Sequence, residues 1–472
     1  MSDYVNEKLE KFNKDVFGKK VAIIGLGTSN VPLIKYFRDL GAFATVFDNR
    51  EEDKIDQEVI DILNKYKASR FLGKDNLTHL KGFDYIFRSP SALPTKPEFV
   101  EEVKRGAVLT SEIEMVLELS PSTIIGVTGS DGKTTTTSLI YEIVKKTGHN
   151  VFLGGNIGIP LFTKIKDMKK EDFVVLELSS FQLMDVKVSP KIAVVTNISP
   201  NHLNVHKDYQ EYIDSKKNIF THQKEDGLVV LNYDNDITRE FKKDANGKVV
   251  YFSHKELLDN GFCFDESDRI IKKCEDGVRK HLIKQSEMHL RGEHNCENVA
   301  AAIAATYGLV KEDDIIDAVK NFKGVEHRLE FVREIDGVKW FNDSIGTSPT
   351  RTIAGLNSFD EKIVLIAGGY DKNLDYTSIA KPIVNNVSKL ILMGATADKI
   401  EKAVTDELKI EKKNLPIYRC KTLEDVVKKA REVATPNEIV LFSPASASFD
   451  LFKNFEDRGN QFKKIVNELN CK

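Results

Sequence analysis

No stretch of this chain stays apolar for long enough to cross a bilayer. The opening residues, Met1-Ser2-Asp3-Tyr4-Val5-Asn6-Glu7-Lys8, are polar and acidic and lack the apolar centre of a secretion signal. Together these absences predict a cytoplasmic protein without membrane partners. Cysteine is sparse: Cys263, Cys274, Cys296, Cys420 and Cys471 are scattered and form no C-x-x-C pair. That excludes a disulfide scaffold and reads as reduced thiols without a catalytic one. Neither sign of charge dominates, with 69 Lys and Arg against 72 Asp and Glu and a net charge of −3. A nucleic-acid-binding surface is therefore not expected, although a local basic pocket for an anionic substrate is compatible. Low-complexity segments and short repeats are also missing.

What remains is 472 residues, enough for about three domains of ordinary size. Apolar strand patterns alternate with helical ones throughout, which predicts an α/β protein with mainly parallel sheets. The first block opens with Lys20 to Gly27, a helix to about Leu40, and the strand Ala44 to Asp48. A Ser-Pro joint near Leu119 to Thr123 closes it. The second block holds strands at Phe173–Leu178, Ile192–Asn197 and Gly227–Asn232, with charged, turn-rich residues from Phe241 to His289 read as edge hairpins. The Ala-rich run Asn298 to Tyr307 reads as a buried helix. A second joint falls near Gly324. The last block has strands at Ile363–Gly369, Lys389–Gly394 and Glu438–Ser443, each ending in small residues. The expected domains are 1–119, 120–324 and 325–472. Ligands of open α/β sheets bind at the carboxyl ends of strands, so each block offers one binding edge.

The strongest chemical signal is Ile124 to Thr136, where an apolar strand runs through Gly129-Ser130-Asp131-Gly132 into Lys133-Thr134-Thr135. Glycines let backbone N–H groups face phosphate oxygens, and the following helix adds free donors and a favourable dipole. Lys133 is placed to reach the β- and γ-phosphates and Thr134 to hold Mg²⁺. Val127 stands where the first glycine of the commoner loop would be, so this is a shorter variant. Glu177 ends a strand, where an acidic residue is suited to Mg²⁺. Asn201-His202-Leu203-Asn204-Val205-His206 offers His202 as an imidazole ligand, with His206 read as structural. The turn Gly25-Leu26-Gly27-Thr28-Ser29-Asn30, with Asp48 about 20 residues on, reads equally as a tight turn or as half of a dinucleotide-binding fingerprint. Arg328, Asp343 and Lys372 are further polar candidates, and Ser443 to Asp450 reads as a strand end feeding a helix N-terminus suited to a carboxylate.

In order, Gly129-Ser130-Asp131-Gly132-Lys133-Thr134, Gly154-Gly155-Asn156-Ile157-Gly158, Asn201-His202-Leu203 and Glu326-His327-Arg328 resemble the motifs of the Mur ligases, over nearly the whole chain. The segments Leu176 to Leu183, Asn342-Asp343-Ser344, Ser443 to Asp450 and Phe452 to Asn460 are most similar to the members that add D-glutamate. The resemblance implies a Rossmann-like UDP-binding domain, a central ATPase domain and a Rossmann-like amino-acid-binding domain. It implies ATP-dependent joining of D-glutamate to UDP-N-acetylmuramoyl-L-alanine through an acyl phosphate, in peptidoglycan precursor synthesis, by a monomer with two Mg²⁺ ions. Gly129, Ser130, Asp131, Gly132, Lys133, Thr134, Thr135, Arg328 and Asp343 are then expected at ATP. Thr134, Glu177, His202 and Lys216, the last as a carbamate, are expected at Mg²⁺. Gly27, Thr28, Ser29, Asn30, Asp48, Arg50, Ser89, Asn156, Ser179 and Gln182 are expected at the UDP substrate. Thr347, Lys372, Ser448 and Phe455 are expected at D-glutamate. Lys217 competes with Lys216 for the carbamate position. Asn201 and Asn204 replace the acidic residues frequent beside the family histidine. The alternatives are another Mur-type or folylpolyglutamate-type ligase, or a nucleotide-binding dehydrogenase or regulatory module with a vestigial loop.

Overall fold

The computed structural model describes residues 4–200, 205–290, 292–372, 374–448 and 450–470. The chain forms three largely parallel sheets distributed over two compact units. The first unit comprises Met1–Glu287 with His294–Lys320; the second comprises Met288–Glu293 with Asn321–Lys472.

The first unit holds two sheets. The smaller has five parallel strands, ordered Ser69–Leu72, Phe43–Asp48, Lys20–Ile24, Tyr85–Arg88 and Val108–Thr110. The larger has nine strands. Its centre is Thr123–Thr128, flanked by Phe173–Glu177 and Ile192–Val195, and all three run parallel. Leu228–Asn232 and Lys248–Ser253 extend it in the same direction. These central strands read as continuous apolar runs because both faces are covered. The segment after Phe241 departs from the hairpin expectation in part. Lys248–Ser253 is a parallel strand, and only Gly261–Asp265, Ile270–Glu275 and Val278–Lys284 form the antiparallel meander.

One hydrophobic core serves both sheets of this unit. Phe162, from the second block, lies against the rings of Phe12, Tyr36, Phe37 and Phe87 at centroid separations of 4.8–6.1 Å. Polar ties complete the junction. Helix Glu112–Leu119 begins at Ser111, whose hydroxyl accepts from Glu114 N. Glu112 Oε1 accepts the N–H groups of Leu161 (2.7 Å) and Phe162 (2.9 Å). Burial pushes this carboxyl above the ordinary range. Arg88, buried, donates to Asp185 and to Phe181 O.

The second unit has six strands ordered Glu330–Ile335, Val338–Asn342, Ile439–Phe442, Ile363–Ala367, Val387–Leu392 and Ile417–Arg419. Only the first pair is antiparallel. Its central strand Ile363–Ala367 is buried along its whole length. Contrary to the expectation at Ser443 to Asp450, the end of strand Ile439–Phe442 does not feed a helix directly. The next helix is Phe455–Glu468, capped by Asn454, whose side chain accepts from Asp457 N at 2.8 Å. Asparagine is a strong N-cap, and it starts the helix several residues later than the small-residue run implied.

Candidate functional site

The strand Thr123–Thr128 turns at Gly129 to Gly132 and enters helix Lys133–Lys145. Gly129 has φ +149° and Gly132 φ +78°. A Cβ on Gly129 would lie 1.9 Å from Thr196 Oγ1, and one on Gly132 would lie 2.2 Å from Asn298 Oδ1. Only glycine fits either position, so the loop's backbone is set by its neighbours as well as by its own turn. Those neighbours come from far along the chain. Thr196 Oγ1 donates to Asp131 O (2.5 Å), Asn197 Oδ1 accepts from Asp131 N (2.9 Å), and Ser130 N donates to Asn197 O (2.8 Å). Thr136 Oγ1 donates to Asn298 Oδ1. Thr196 and Asn197 stood out in the sequence only as a strand end. Asn298 gave a fainter signal as a polar residue in a buried Ala-rich helix.

Two lysines meet on one carbonyl of this loop. Lys133 Nζ donates to Gly129 O and Ser130 O, both at 2.9 Å, and Lys216 Nζ donates to Gly129 O at 2.8 Å and Thr128 Oγ1 at 3.2 Å. Lys216 is almost fully buried, 4.9 Å above the Tyr212 ring. Burial, and then the adjacent Lys133 ammonium, push Lys216 well below the usual lysine range. Lys217, the competing residue, is turned away and pairs with Asp244 at 2.6 Å. Helix Tyr209–Lys217 is fixed by its cap Asp208, and the Tyr212 hydroxyl lies 2.8 Å from Ser130 Oγ.

Glu177 ends the neighbouring strand in register with Val127. Its Oε1 accepts from Asn156 Nδ2 at 2.8 Å, while Oε2 is buried and has no hydrogen-bond partner among the described residues. A buried carboxylate oxygen left unsatisfied is costly, and a hard cation is the partner that chemistry offers it. Together with the half-buried Thr134 at the head of the helix, these donors fit Mg²⁺. His202 lies outside the described residues. His206 is enclosed: Nε2 lies 2.9 Å from Ser180 Oγ, Nδ1 lies 3.2 Å from Glu211 Oε2, and the ring stacks on Phe181.

The residues expected at a UDP substrate divide into groups. Ser29, Asn30 and Gln182 share a small cleft with Arg88, Pro90, Ser111, Glu112 and Ile113. Asn30 Nδ2 ties the turn by donating to Ile24 O (2.8 Å) and Gly25 O (3.2 Å). Gly27 and Thr28 are exposed on the same turn, and Ser89 Oγ lies 3.1 Å from Ser91 Oγ. Asp48 and Arg50 are joined to each other. Asp48 Oδ1 accepts from Arg50 N and Nε (both 2.9 Å), Oδ2 accepts from Leu26 N (2.7 Å), and Arg50 Nη2 donates to Leu26 O (3.1 Å). Against the cost of burial, these bonds hold the Asp48 carboxyl below its ordinary value. Ser179 and Gln182 form a reciprocal capping box on helix Ser180–Leu183.

In the second unit, Asp343 lies buried just past strand Val338–Asn342. Its Oδ2 accepts from Ser443 Oγ at 2.6 Å, and its Oδ1 accepts from Leu329 N at 3.3 Å. Burial raises its pKa to about 6, against the opposing pull of Ser443 and of the half-buried Arg328. His327 and Leu329, flanking Arg328, both have positive φ. At the carboxyl edge of the sheet, Tyr370 N donates to Ala447 O (2.9 Å), which draws the Gly368-Gly369 turn against the loop carrying buried Ser448. Lys372 is exposed beyond that turn. Phe455 is half-buried at the start of its helix, its carbonyl accepting from Ser344 Oγ at 2.8 Å, and Thr347 is half-buried after the Asp343 turn. Arg458, fully buried, binds Ser344 O, Ser446 O and Ala447 O at 2.8–3.0 Å and so fixes this edge.

Three family models match consecutive parts of the chain: "Mur ligase MurD-like, N-terminal domain" over residues 19–111, "Mur ligase middle domain" over 127–306, and "Mur ligase, glutamate ligase domain" over 327–446. The chain is 49% identical to the UDP-N-acetylmuramoylalanine--D-glutamate ligase of Acetivibrio thermocellus, across 98% of this chain and all of that one. It is 46% identical to the enzyme of the same name from Clostridium tetani, over the same shares. Among solved structures, UDP-N-acetylmuramate-alanine ligase MurC from Thermotoga maritima is similar at a TM-score of 0.58 and 19% identity, covering 95% of this chain and 99% of that one. MurF ligase from Thermotoga maritima, solved with ADP, matches at 0.54 and 20%, with 97% of each chain covered. At these identities the structural matches speak for the fold alone.

Proposed function

The chain belongs to the Mur ligase family, and from that premise we propose that it joins D-glutamate to UDP-N-acetylmuramoyl-L-alanine at the expense of ATP. It is an ATP-dependent, amide-bond-forming ligase. The observation that carries the chemistry is the convergence of Lys133, Lys216 and the unsatisfied Glu177 oxygen around Gly129 and its strand.

The reaction brings a carboxylate up to a triphosphate, and both are anionic. The substrate carboxylate attacks the γ-phosphorus, ADP leaves, and an acyl phosphate forms. The D-glutamate amine then attacks the acyl carbon and phosphate leaves. Positioning and charge stabilisation are the protein's main contributions to such a transfer. Lys133 Nζ, now on the carbonyls of its own loop, is close enough to exchange them for phosphate oxygens. The N–H groups at the start of helix Lys133–Lys145 add fixed dipoles. Mg²⁺, held by Thr134, Glu177 and, in the fuller reading, two sites that include His202 and a carbamylated Lys216, would neutralise charge on the phosphates. The depressed basicity of Lys216 supports its part: a neutral amine is the form that adds CO₂, releasing one proton and leaving an anionic oxygen donor.

Ser29, Asn30 and Gln182 around one cleft support binding of the UDP substrate there, and Ser448 and Phe455 at the edge of the second unit support a D-glutamate site. Arg328 and Asp343 are assigned to ATP. The domain limits 1–119, 120–324 and 325–472 belong to the same reading, as does a cytoplasmic monomer. No helix among the described residues is long and apolar enough to cross a membrane. The deciding experiment is phosphate release from ATP with Mg²⁺ and UDP-N-acetylmuramoyl-L-alanine, comparing D-glutamate with L-glutamate, L-alanine, glycine and diaminopimelate. Release that requires D-glutamate is expected. Release with another amino acid moves the substrate, and none with any of them removes the assignment.

A further inference from the structure

Asp234, His254 and Glu297 form a second polar cluster on the first unit, apart from every residue assigned above. Asp234 follows strand Leu228–Asn232, and His254 follows strand Lys248–Ser253. Both therefore stand at the carboxyl edge of adjacent parallel strands, where such sheets bind ligands. Glu297 reaches the same point from helix Glu293–Thr306. One ligand atom from each of the three lies within 4.8 Å of the others.

The geometry points to a site for a divalent transition ion of the zinc class, held by one imidazole and two carboxylates. His254 Nδ1 is buried and faces Asp234 Oδ2 at 3.3 Å, an ion-pair contact that lacks the geometry of a good hydrogen bond, and it meets no other acceptor among the described residues. That contact distance is the separation of two donors that share a tetrahedral ion at about 2.0–2.1 Å each, roughly 3.3 Å. The carboxylates are held from behind, as metal ligands generally are. Ser253 Oγ donates to Asp234 Oδ1 at 2.6 Å, and His254 N donates to Asp234 Oδ2 at 2.7 Å. Asn232 Nδ2 donates to Glu297 Oε1 and, at 2.7 Å, to Thr196 O. All three ligand residues are half-buried. Imidazole with carboxylate favours zinc, or cobalt in its place, over magnesium, calcium or manganese, which oxygen alone satisfies. Asn232 also links the site to the phosphate loop, since Thr196 is the residue that buttresses Asp131.

The test is titration of chelator-stripped protein with Co²⁺, followed by visible absorption and calorimetry, then competition with Zn²⁺. Wild type is expected to bind Co²⁺ with d–d bands that Zn²⁺ displaces, and Glu177→Gln to keep those bands while losing any further ion held at the phosphate loop. His254→Gln and Glu297→Gln are expected to bind at least about tenfold more weakly. Glu297→Gln retains an oxygen that can accept from Asn232, so its metal-free melting midpoint should match wild type and separate lost binding from lost fold. Equal affinity in all four proteins, or no saturable binding in wild type, would overturn the site. Binding lost in Glu177→Gln but kept in the other two would overturn it as well, by moving the ion to the phosphate loop.

Discussion

Two glycine turns in the first unit are built alike and behave differently. Gly129 to Gly132 and Gly25 to Gly27 each connect a central parallel strand to a helix. In the first, any Cβ would strike Thr196 or Asn298, and two lysines converge on one carbonyl. In the second, a Cβ on Gly25 (φ +87°) would lie 2.9 Å from Ser89 Oγ, but Gly27 has nothing within 4 Å of where its Cβ would be, and the nearby charged pair, Asp48 with Arg50, is satisfied internally. The first turn is crowded because Thr196, Asn197 and Asn298, from distant elements, bond to its backbone or press on its glycines. The second is open at Gly27, beside the small cleft that Ser29 and Asn30 help to line. What distinguishes the two glycine turns is therefore what buttresses them, and the glycines by themselves say little.

The sharpest way to break this comparison is to remove the cation from the crowded turn. Lys133→Ala is expected to lower acyl-phosphate formation by roughly 10³-fold or more, the scale of losing a charge-stabilising group in a transfer reaction. An unchanged circular dichroism spectrum alongside would show that the fold persists. Near-normal phosphate release would remove Lys133 from the chemistry. Next in size is Gly132→Ala. Its new methyl group meets Asn298 at 2.2 Å in a left-handed backbone conformation. A loss of about 2–3 kcal/mol in urea unfolding is expected from strain and displacement together, along with weaker ATP binding. Asn298→Ala in the same background should recover part of the stability if contact with that side chain is the cause.

Much of the first turn could be read from the chain, and its supports could not. Glycine, lysine and hydroxyl residues are adjacent in sequence, so Gly129 to Thr135 declared themselves, and so did Glu177 at the end of an apolar strand. Thr196, Asn197, Asn232 and Asn298 act across 36 to 162 positions of chain, and nothing local marks them as loop supports. Asp48 was legible as a residue 20 or so beyond the turn, but not as the partner of Arg50, because a pair two residues apart can equally face a ligand. Ser179 and Gln182 were visible as polar groups at a rim, while their mutual capping bonds follow only from the short helix between them. The mainly parallel direction of the sheets followed from strand–helix alternation, whereas strand order did not. The parallel strand Lys248–Ser253 escaped because charge and turn residues surround it.

A smaller effect is expected at the Asp48–Arg50 pair. Arg50 is partly exposed, so Arg50→Ala should cost about 1 kcal/mol or less. The pH dependence carries more information than the size. Asp48 titrates below its ordinary value in the folded state, so its contribution is present above about pH 4 and is lost as pH falls through the folded value. Arg50→Ala removes the hydrogen bonds that lower it, and the acid-unfolding midpoint should then move to higher pH. An unmoved midpoint would mean that the Leu26 and Arg50 backbone N–H groups alone hold the carboxylate.

The smallest effect separates the two turns most cleanly. Gly27→Ala adds a methyl group to open space at a residue whose φ is not positive, so neither contact nor backbone conformation opposes it. Stability should change by less than about 0.5 kcal/mol, and the loss of unfolded-chain freedom can make the sign favourable. If the open turn nevertheless lies against the UDP substrate, the same methyl group should raise KM for that substrate while leaving kcat and the ATP KM unchanged. A variant that is stable and raises only that KM would place substrate at the turn. One that is stable with all constants unchanged would leave Ser29, Asn30 and Gln182 to define the cleft without Gly27. A destabilisation as large as that of Gly132→Ala would end the contrast between the two turns, because crowding would then not be what distinguishes them.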